Sequence, residues 1–489
     1  DQNRLAYLSK GFHFFKKMSE IPKILDTSKL KFDKIPVPSC WNMLGYEQPM
    51  YVNVKYPFAC KPPYIPGKKA VGVYPDFTTG KLINGTRAFN TAGLYRKEFD
   101  LRTSERVFYL SFLGVSGAFS LFVNGSYVGY SEGSHNTAEF DVSRHLVSGR
   151  NEIVALVYKW STGSYLECQD MFRHSGIFRD VLLYCHRNPH IYDINIENTN
   201  VNSTLDKGKV TLKVNNPAGC KVRFELKDAS GAVRHSAVYP AEEKTIFEFS
   251  GKFDEYSAET PALYDYEFTL MTSEGEKAET VEFIRKKSGF RNVVIKEGVL
   301  YYNGKPIKLK GVNRHDSDPV KGYAVGIKEM LKDIEVMKEF NVNTVRTSHY
   351  PPDPMFMELM DKYGFYVIAE ADIETHGTFP LINRISNNRK WAPRYIDRVV
   401  RMYETHKNSP SVMIWSLGNE AGGIRCQDAC YEILSRLSTL PVHYEGAVRT
   451  ARLAYDVFSV MYPSVDALRK FLTEGKKGRT VTQPIFMCE

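Results

Sequence analysis

The chain of 489 residues carries 65 Lys and Arg against 56 Asp and Glu, a net charge of +9, with 43% hydrophobic and 13% aromatic residues. That length implies two to four domains, and that composition excludes a disordered chain. The positive excess is thinly spread, Lys476-Lys477-Gly478-Arg479 being its densest run, which argues against a nucleic-acid partner, and no apolar run reaches the roughly eighteen residues of a membrane span.

The eight cysteines include no CxxC pair, so zinc-ribbon and thioredoxin readings find no support, and they read as reduced thiols of a cytoplasmic protein. The N-terminus, DQNRLAYLSK, has neither an apolar signal core nor an initiator Met, so a cytoplasmic chain that is part of a longer one is expected. Residues 1–29 read as an N-terminal extension. From 30 to 187, short apolar runs such as Val107–Leu113 and Asn151–Val157 alternate with Gly, Ser and Asn, and Asn124-Gly125 marks a two-residue hairpin. That pattern predicts a β-sandwich or jelly roll. Residues 188–287 continue in alternating strands, Lys209–Val214 and Lys221–Leu226 among them, at the length of an immunoglobulin-like sandwich.

From 288 to 489 strand-like and helical runs alternate, which predicts βα units around a parallel sheet. The strands are Ile307–Val312, Val342–Arg346, Phe365–Ala369, Val412–Leu417, Val442–Tyr444, Val457–Val460 and Ile485–Met487. A (β/α)8 barrel needs eight. The expected architecture is therefore multidomain β plus α/β, ending in an incomplete TIM barrel.

In such a barrel, polar residues at the C-terminal strand ends face the mouth. Here the strands run into Asn313-Arg314-His315-Asp316, Arg346-Thr347-Ser348-His349-Tyr350, Glu370 to His376, Asn419-Glu420, Glu445, Tyr462 and Glu489. A single acid there is most simply a solvated loop charge, but seven polar ends in register are hard to assign to chance. Carboxylates on strands four and seven would face each other, the arrangement that an oxocarbenium-like transition state requires: one proton donor and one anion. Roughly 5 to 5.5 Å between them would mean attack by one carboxylate and retention of configuration. Glu370, Asp372, Glu374 and His376 are spaced by two, so an extended segment would put them on one face, as ligands of a hard divalent ion or as a hydrogen-bonded acidic stripe.

Seven stretches make the chain recognisable: YVNVKYPF at 51–58, GSYLECQDMFRHSGIFRDV at 163–181, GVNRHD at 311–316, VRTSHYPPDP at 345–354, EADIETHG at 370–377, SVMIWSLGNEAGG at 411–423 and PIFMCE at 484–489. Over nearly its whole length it resembles the β-galactosidases of glycoside hydrolase family 2. The resemblance implies a retaining enzyme acting on lactose and related β-galactosides through a covalent galactosyl-enzyme. It makes the first β domain a sugar-binding jelly roll. It assigns Glu420 as acid/base, Glu489 as nucleophile, and Tyr462, His315 and His349 as groups around the reacting sugar. It implies substrate contacts for Asn53, Asp170, Asn419 and Arg346, a Mg2+ on Glu374, His376 and Glu420, and a Na+ held in part by Asp170.

The sequence departs from the family pattern at Asp316, where Glu is common, at Asp372, where Asn is usual, and at Cys168, which replaces an acid. The family also continues beyond the nucleophile, so the expectation is a chain truncated at Glu489, weakly active alone, and homo-oligomeric when full length. A β-glucuronidase or β-mannosidase of the same family is the alternative activity, although the ETHG and NRHD segments lean towards galactosidase. A non-catalytic carbohydrate-binding chain is the alternative class, and would bind sugar without turnover.

Overall fold

The computed structural model describes residues 3–8, 25–58, 60–65, 73–75, 82–84, 90–201, 205–272, 278–378, 385–449, 454–475 and 480–489. Lys476-Lys477-Gly478-Arg479 and most of the expected N-terminal extension lie outside them.

The first domain is a two-sheet sandwich. Six strands run in the order Asp33–Ile35, Asn3–Leu8, Ala92–Leu101, Gly149–Tyr158, Ala118–Val123, Ser126–Glu132, and three more, Ala138–Asp141, Val107–Phe112 and Val181–His186, form the opposing sheet. Asn3–Leu8, assigned from sequence to a separate extension, is an internal strand of the first sheet, paired antiparallel on both sides. Trp41, Phe108, Phe112, Phe119, Leu121 and Val157 fill the space between the sheets. The Asn124-Gly125 turn forms as its sequence predicts: φ is 50° and 77°, the doubly positive pair that matches strand twist.

Seven antiparallel strands between His190 and Ser288 make the second sandwich, three in one sheet and four in the other. The inward residues of Cys220–Lys227 alternate strictly, with Val222, Phe224 and Leu226 fully buried.

The third domain opens with a hairpin, Val293–Lys296 and Val299–Tyr302, extended by Lys305–Pro306. It packs Val293, Leu300 and Tyr302 against Tyr366, Ile368, Met413 and Val457, plugging the bottom of the barrel. Ile307 and Leu309 join this plug, so the first barrel strand begins later than the sequence predicts, at Gly311–Asn313. It is followed by Thr344–Arg346, Tyr366–Glu370, Val412–Ser416 and Val442–His443 in one parallel sheet, then by Phe458–Val460 and Ile485–Met487 as a separate parallel pair. Tyr366–Glu370 and Val412–Ser416 are buried throughout, as strands covered on both faces must be. The helices are α1 (Ile327–Glu339), α2 (Pro354–Tyr363), α3 (Ala392–His406), α4 (Arg425–Leu437) and α5 (Val465–Glu474). Helix α1 buries Met330, Ile334 and Met337 at helical spacing. Helix α2 is capped by the Asp353 side chain and stopped by Gly364 at φ 73°, where a Cβ would meet the Ala258 carbonyl at 2.4 Å.

The barrel does not close. Strands seven and one are joined among the described residues by a side chain, Asn313 Nδ2 donating to the Cys488 carbonyl at 2.9 Å, and Gly311–Asn313 is exposed.

The three domains share buried contacts. Arg398 of α3, 2% exposed, donates to the Asp372 carbonyl at 2.6 Å, the Gly163 carbonyl at 3.1 Å and Glu167 Oε1 at 2.7 Å. Arg179 of the jelly roll donates to Asp316 Oδ2 and the Pro351 carbonyl, both at 2.9 Å. Asn408 accepts from the Ile196 N–H and donates to the Ile194 carbonyl, both at 2.8 Å, fixing the second sandwich to the barrel.

Asp361 of α2 sits beneath the barrel, its Oδ1 accepting from Ser409 Oγ at 2.5 Å and the Ser411 N–H at 3.0 Å. Burial pushes its carboxyl up to about 6. A raised folded value means stability that is present below about pH 4 and lost as pH rises through 6. Asp361→Asn, which cannot ionise, is expected to gain about 2 kcal/mol over the parent at pH 8 relative to pH 4.5. Urea denaturation at the two pH values measures this; equal gains at both would contradict it.

Candidate active site

The strand ends place the expected groups round one mouth, and each is held by a neighbouring strand. Glu489 follows strand seven. Its Oε1 accepts from Arg346 Nη1 at 2.9 Å and lies 3.6 Å from His349 Nε2. Its Oε2 accepts from the Tyr462 hydroxyl at 2.7 Å, and its carbonyl accepts the Tyr462 N–H at 2.9 Å. Tyr462 is itself 77% exposed at φ 45°, so the contact with Glu489 orients a side chain that has little other packing. That contact also pushes its phenol up to about 12, because ionisation would set a second anion against the carboxylate.

Arg346 is expected from the resemblance to contact substrate, but the structure buries it to 2% beneath the mouth. It grips both oxygens of Glu370, at 2.8 and 3.0 Å, and donates to Asn419 Oδ1 at 3.0 Å as well as to Glu489. Glu370 also accepts from Ser416 Oγ at 2.6 Å and pairs with His349 Nδ1 at 2.7 Å. Burial alone would raise the Glu370 carboxyl; Arg346 and His349 overcome it and hold the group well below the usual carboxylate range. His315 stands beside His349, ring centroids 5.4 Å apart, with Nδ1 3.1 Å from the Tyr350 hydroxyl. Burial, with His349 adding to it, brings His315 down to about 4, so it is neutral at physiological pH.

On the opposite side lies Glu420, its Oε2 2.7 Å from His376 Nδ1. Ligand atoms of Glu374, His376 and Glu420 fall within 4.8 Å of one another. Glu374 is 1% exposed and accepts from Asn419 Nδ2 at 2.9 Å. Its carboxyl is raised well above normal by burial and by Glu420. Two carboxylates and an imidazole, one acid buried beside another, are a donor set that a divalent cation fits.

The spacing of two does not put Glu370, Asp372, Glu374 and His376 on one shared face. The strand ends at Glu370 and the chain turns into a short 3-10 helix at His376–Thr378, so each acid meets a different partner. Asp372 faces the jelly roll, accepting from the His135 N–H at 3.2 Å and Gln169 Nε2 at 3.0 Å, with Arg398 Nη1 at 3.3 Å. Thus the acid that stands where Asn is usual has a cation to meet its charge. Asp316 likewise bridges Arg314, Arg179 and the Asp353 N–H. Cys168 accepts from the Gly377 N–H at 3.3 Å, and burial pushes its thiol up to about 12. Glu445 is fully buried rather than at the rim.

The jelly roll supplies the remaining groups. Its two-stranded ribbon, Met50–Val52 against Met171–Arg173, carries Asn53 and Asp170 at its end, both exposed, and Tyr51 donates to Asp170. Gln169, next in sequence, reaches the His349 carbonyl at 3.3 Å, and the Glu374 N–H donates to the Leu166 carbonyl at 2.6 Å. Gln169 and Arg398 were not legible as site supports, because the contacts that join the two domains, Gln169 to Asp372 and Arg398 to Glu167, span more than two hundred residues.

Paired carboxylates across the mouth of a parallel barrel, backed by a jelly roll, define a glycoside hydrolase. Residues 293–489 match the family described as "Glycosyl hydrolases family 2, TIM barrel domain", and residues 9–81 and 81–187 match its sugar binding domain. A protein of Alteromonas mediterranea named "Beta-galactosidase" is 37% identical over 100% of this chain and 47% of its own length. One of Pectobacterium atrosepticum with the same name is 40% identical over 89% of this chain and 41% of its own. A solved beta-glycosidase from Bacteroides vulgatus aligns over 96% of this chain and 56% of its own, with TM-score 0.71 and 19% identity. A Bacteroides uniformis beta-glucuronidase aligns over 99% of this chain and 58% of its own, with TM-score 0.70 and 19% identity, so these structures speak for the fold alone. The chain belongs to glycoside hydrolase family 2 and spans about half the length of the curated relatives it matches.

Replacing Glu489 by Gln removes the anion that holds the Tyr462 proton. Tyr462 is then expected to ionise closer to pH 10 than to 12. The difference between ultraviolet titrations of Glu489→Gln and the Glu489→Gln, Tyr462→Phe double variant isolates that phenol; an ionisation still near 12 would contradict the assignment.

Proposed function

We propose that the protein carrying this chain is a retaining β-galactosidase that hydrolyses terminal β-D-galactose from lactose and related β-galactosides. The observation that carries the reading is the unequal treatment of the two mouth carboxylates. Glu489 is held from one side by Arg346 and from the other by Tyr462, which aims its carboxylate. Glu420 instead lies beside His376 and the buried acid Glu374. Galactose rather than another sugar is supported by the names of the relatives at 35–40% identity.

In this reading the Glu489 carboxylate attacks the anomeric carbon while Glu420 gives its proton to the departing glycosidic oxygen. A galactosyl ester on Glu489 results. Glu420, now a carboxylate, takes a proton from water, which attacks the same carbon and releases galactose with its configuration retained. Tyr462 and Arg346 stabilise Glu489 as it leaves. His349 and the neutral His315 line the approach to Glu489, and Asn53, Asp170 and Asn419 supply hydrogen-bonding groups for the sugar. A Mg2+ on Glu374, His376 and Glu420 would supply positive charge that stabilises the Glu420 carboxylate, and Asp170 would contribute to a Na+ site.

Glu489→Gln is expected to abolish turnover of an aryl β-galactoside. Glu420→Gln is expected to lose about 100- to 10,000-fold on substrates with poor leaving groups, and on an activated dinitrophenyl galactoside to recover with azide, giving the β-galactosyl azide. Preferential hydrolysis of the aryl β-glucuronide, or sugar binding without turnover, would overturn the reading.

Mg2+ added to chelator-treated protein is expected to raise the melting temperature, and Glu374→Gln to lose most of that rise. An unchanged metal response in Glu374→Gln would remove the site from the proposal.

A further inference from the structure

Beneath the mouth, one side chain from each of barrel strands two to six, together with the residue just past strand seven, forms a closed buried ring. Arg346 joins Glu489 Oε1 at 2.9 Å to both oxygens of Glu370. Ser416 Oγ donates to Glu370 Oε2 at 2.6 Å and lies 2.9 Å from His443 Nδ1. His443 Nε2 lies 2.9 Å from Ser459 Oγ, which is 3.0 Å from Cys488 Sγ, and Cys488 immediately precedes Glu489. Glu370, Ser416, His443 and Ser459 are 0% exposed, Arg346 2% and Cys488 4%.

Barrel interiors are ordinarily filled by branched apolar side chains. A charged and polar layer here carries desolvation costs that only complete hydrogen bonding offsets. From Glu370 to His443 the wiring has one sense. Ser416 must donate to the Glu370 carboxylate, so its oxygen accepts from His443 Nδ1–H. Burial and the nearby Arg346 bring His443 down to about 3, so the ring is neutral and its bare Nε2 faces the Ser459 hydroxyl at 2.9 Å. Both ends of the chain of contacts meet at Glu489, one at its carboxylate and one at the residue that precedes it. Glu370 also orients His349 through Nδ1 at 2.7 Å.

We propose that this ring is a positioning device for Glu489, with Glu370 as its central positioning residue: by gripping Arg346 at two points, it fixes where the Glu489 carboxylate stands relative to the anomeric carbon. The inference rests on the reading of Glu489 as nucleophile and deepens it. Glu370 touches neither substrate nor reacting atoms.

The test is the covalent trapping of the protein that carries this chain by a 2-deoxy-2-fluoro-β-galactoside with a dinitrophenolate leaving group, followed by intact and peptide mass spectrometry. The parent is expected to label at Glu489. Glu370→Gln is expected to label about 100-fold more slowly at saturation, with the half-saturating concentration unchanged, the cost of a misplaced nucleophile. Because Glu370→Gln removes half of a buried ion pair and could fail to fold, Ser416→Ala is the second variant. It is expected to slow labelling about tenfold and to shift the 15N signals of His443 away from the Nδ1–H tautomer. Parent-like labelling rates in the folded variants, or a change confined to half-saturation, would overturn the proposal. Labelling of the parent at a different residue would instead overturn the nucleophile assignment and with it this role for the ring; the His443 tautomer still reports separately whether the ring exists.

Discussion

The structure turns on one guanidinium. Arg346 carries the positive charge that lets Glu370 stay ionised at 0% side-chain exposure, and it ties strand two to strands three, four and seven. Arginine rather than lysine suits this position, because its planar fork can serve Glu370 at two points and still present a third N–H to Glu489. An uncompensated charge at this depth would cost several kcal/mol, so the strands must assemble around the pair or not at all. The chemistry proposed for the mouth is thus built on the same contact that organises the barrel interior.

A second constraint is that the mouth is incomplete without the jelly roll. The loops at Gly133–Asn136 and Gly163–Asp170 lie against the acidic segment after strand three, where Arg398 binds Glu167 and the Asp372 carbonyl together. Burial and Asp372 raise the Glu167 carboxyl, while Arg398 and Ser134 oppose that rise. Tyr56, Phe58, Tyr165 and Leu166 of the jelly roll share one apolar cluster with Tyr395, Trp391 and Met402 of the barrel. The first domain is therefore part of the wall of the site, and Asn53 and Asp170 ride on a ribbon fixed by that shared core.

The elements themselves were legible because their patterns are local. Alternation in Cys220–Lys227, the doubly positive Asn124-Gly125 turn, and the Gly364 stop after α2 are each set by a few neighbouring residues. Glu420, Glu489, Tyr462 and His349 could be found because each lies two to four residues past the end of a barrel strand, where the chain runs over the mouth. The acidic run after strand three could not be read correctly. Spacing places Glu370, Asp372 and Glu374 on one face only while the backbone stays extended, and the chain leaves the strand at Glu370. Likewise Asn3–Leu8 is an internal strand because Asp33–Ile35 and Ala92–Leu101 flank it, which no feature of its own six residues requires.

What the sequence by itself determined is the order of three β-rich units, the alternation that makes the last of them a parallel barrel, and the identity of the polar groups at its strand ends. These follow from periodicity and from the motifs of family 2. Only the tertiary structure decided what each polar group does: that Arg346 lies under Glu489 rather than in the open mouth, that Glu370 serves Arg346 and His349 while Glu374 faces His376 and Glu420, and that Asp372 belongs to the junction with the jelly roll. The reason is physical. A buried charge is defined by its partners, and here those partners come from strands and domains tens to hundreds of residues apart, brought within 3 Å by packing that no local pattern records.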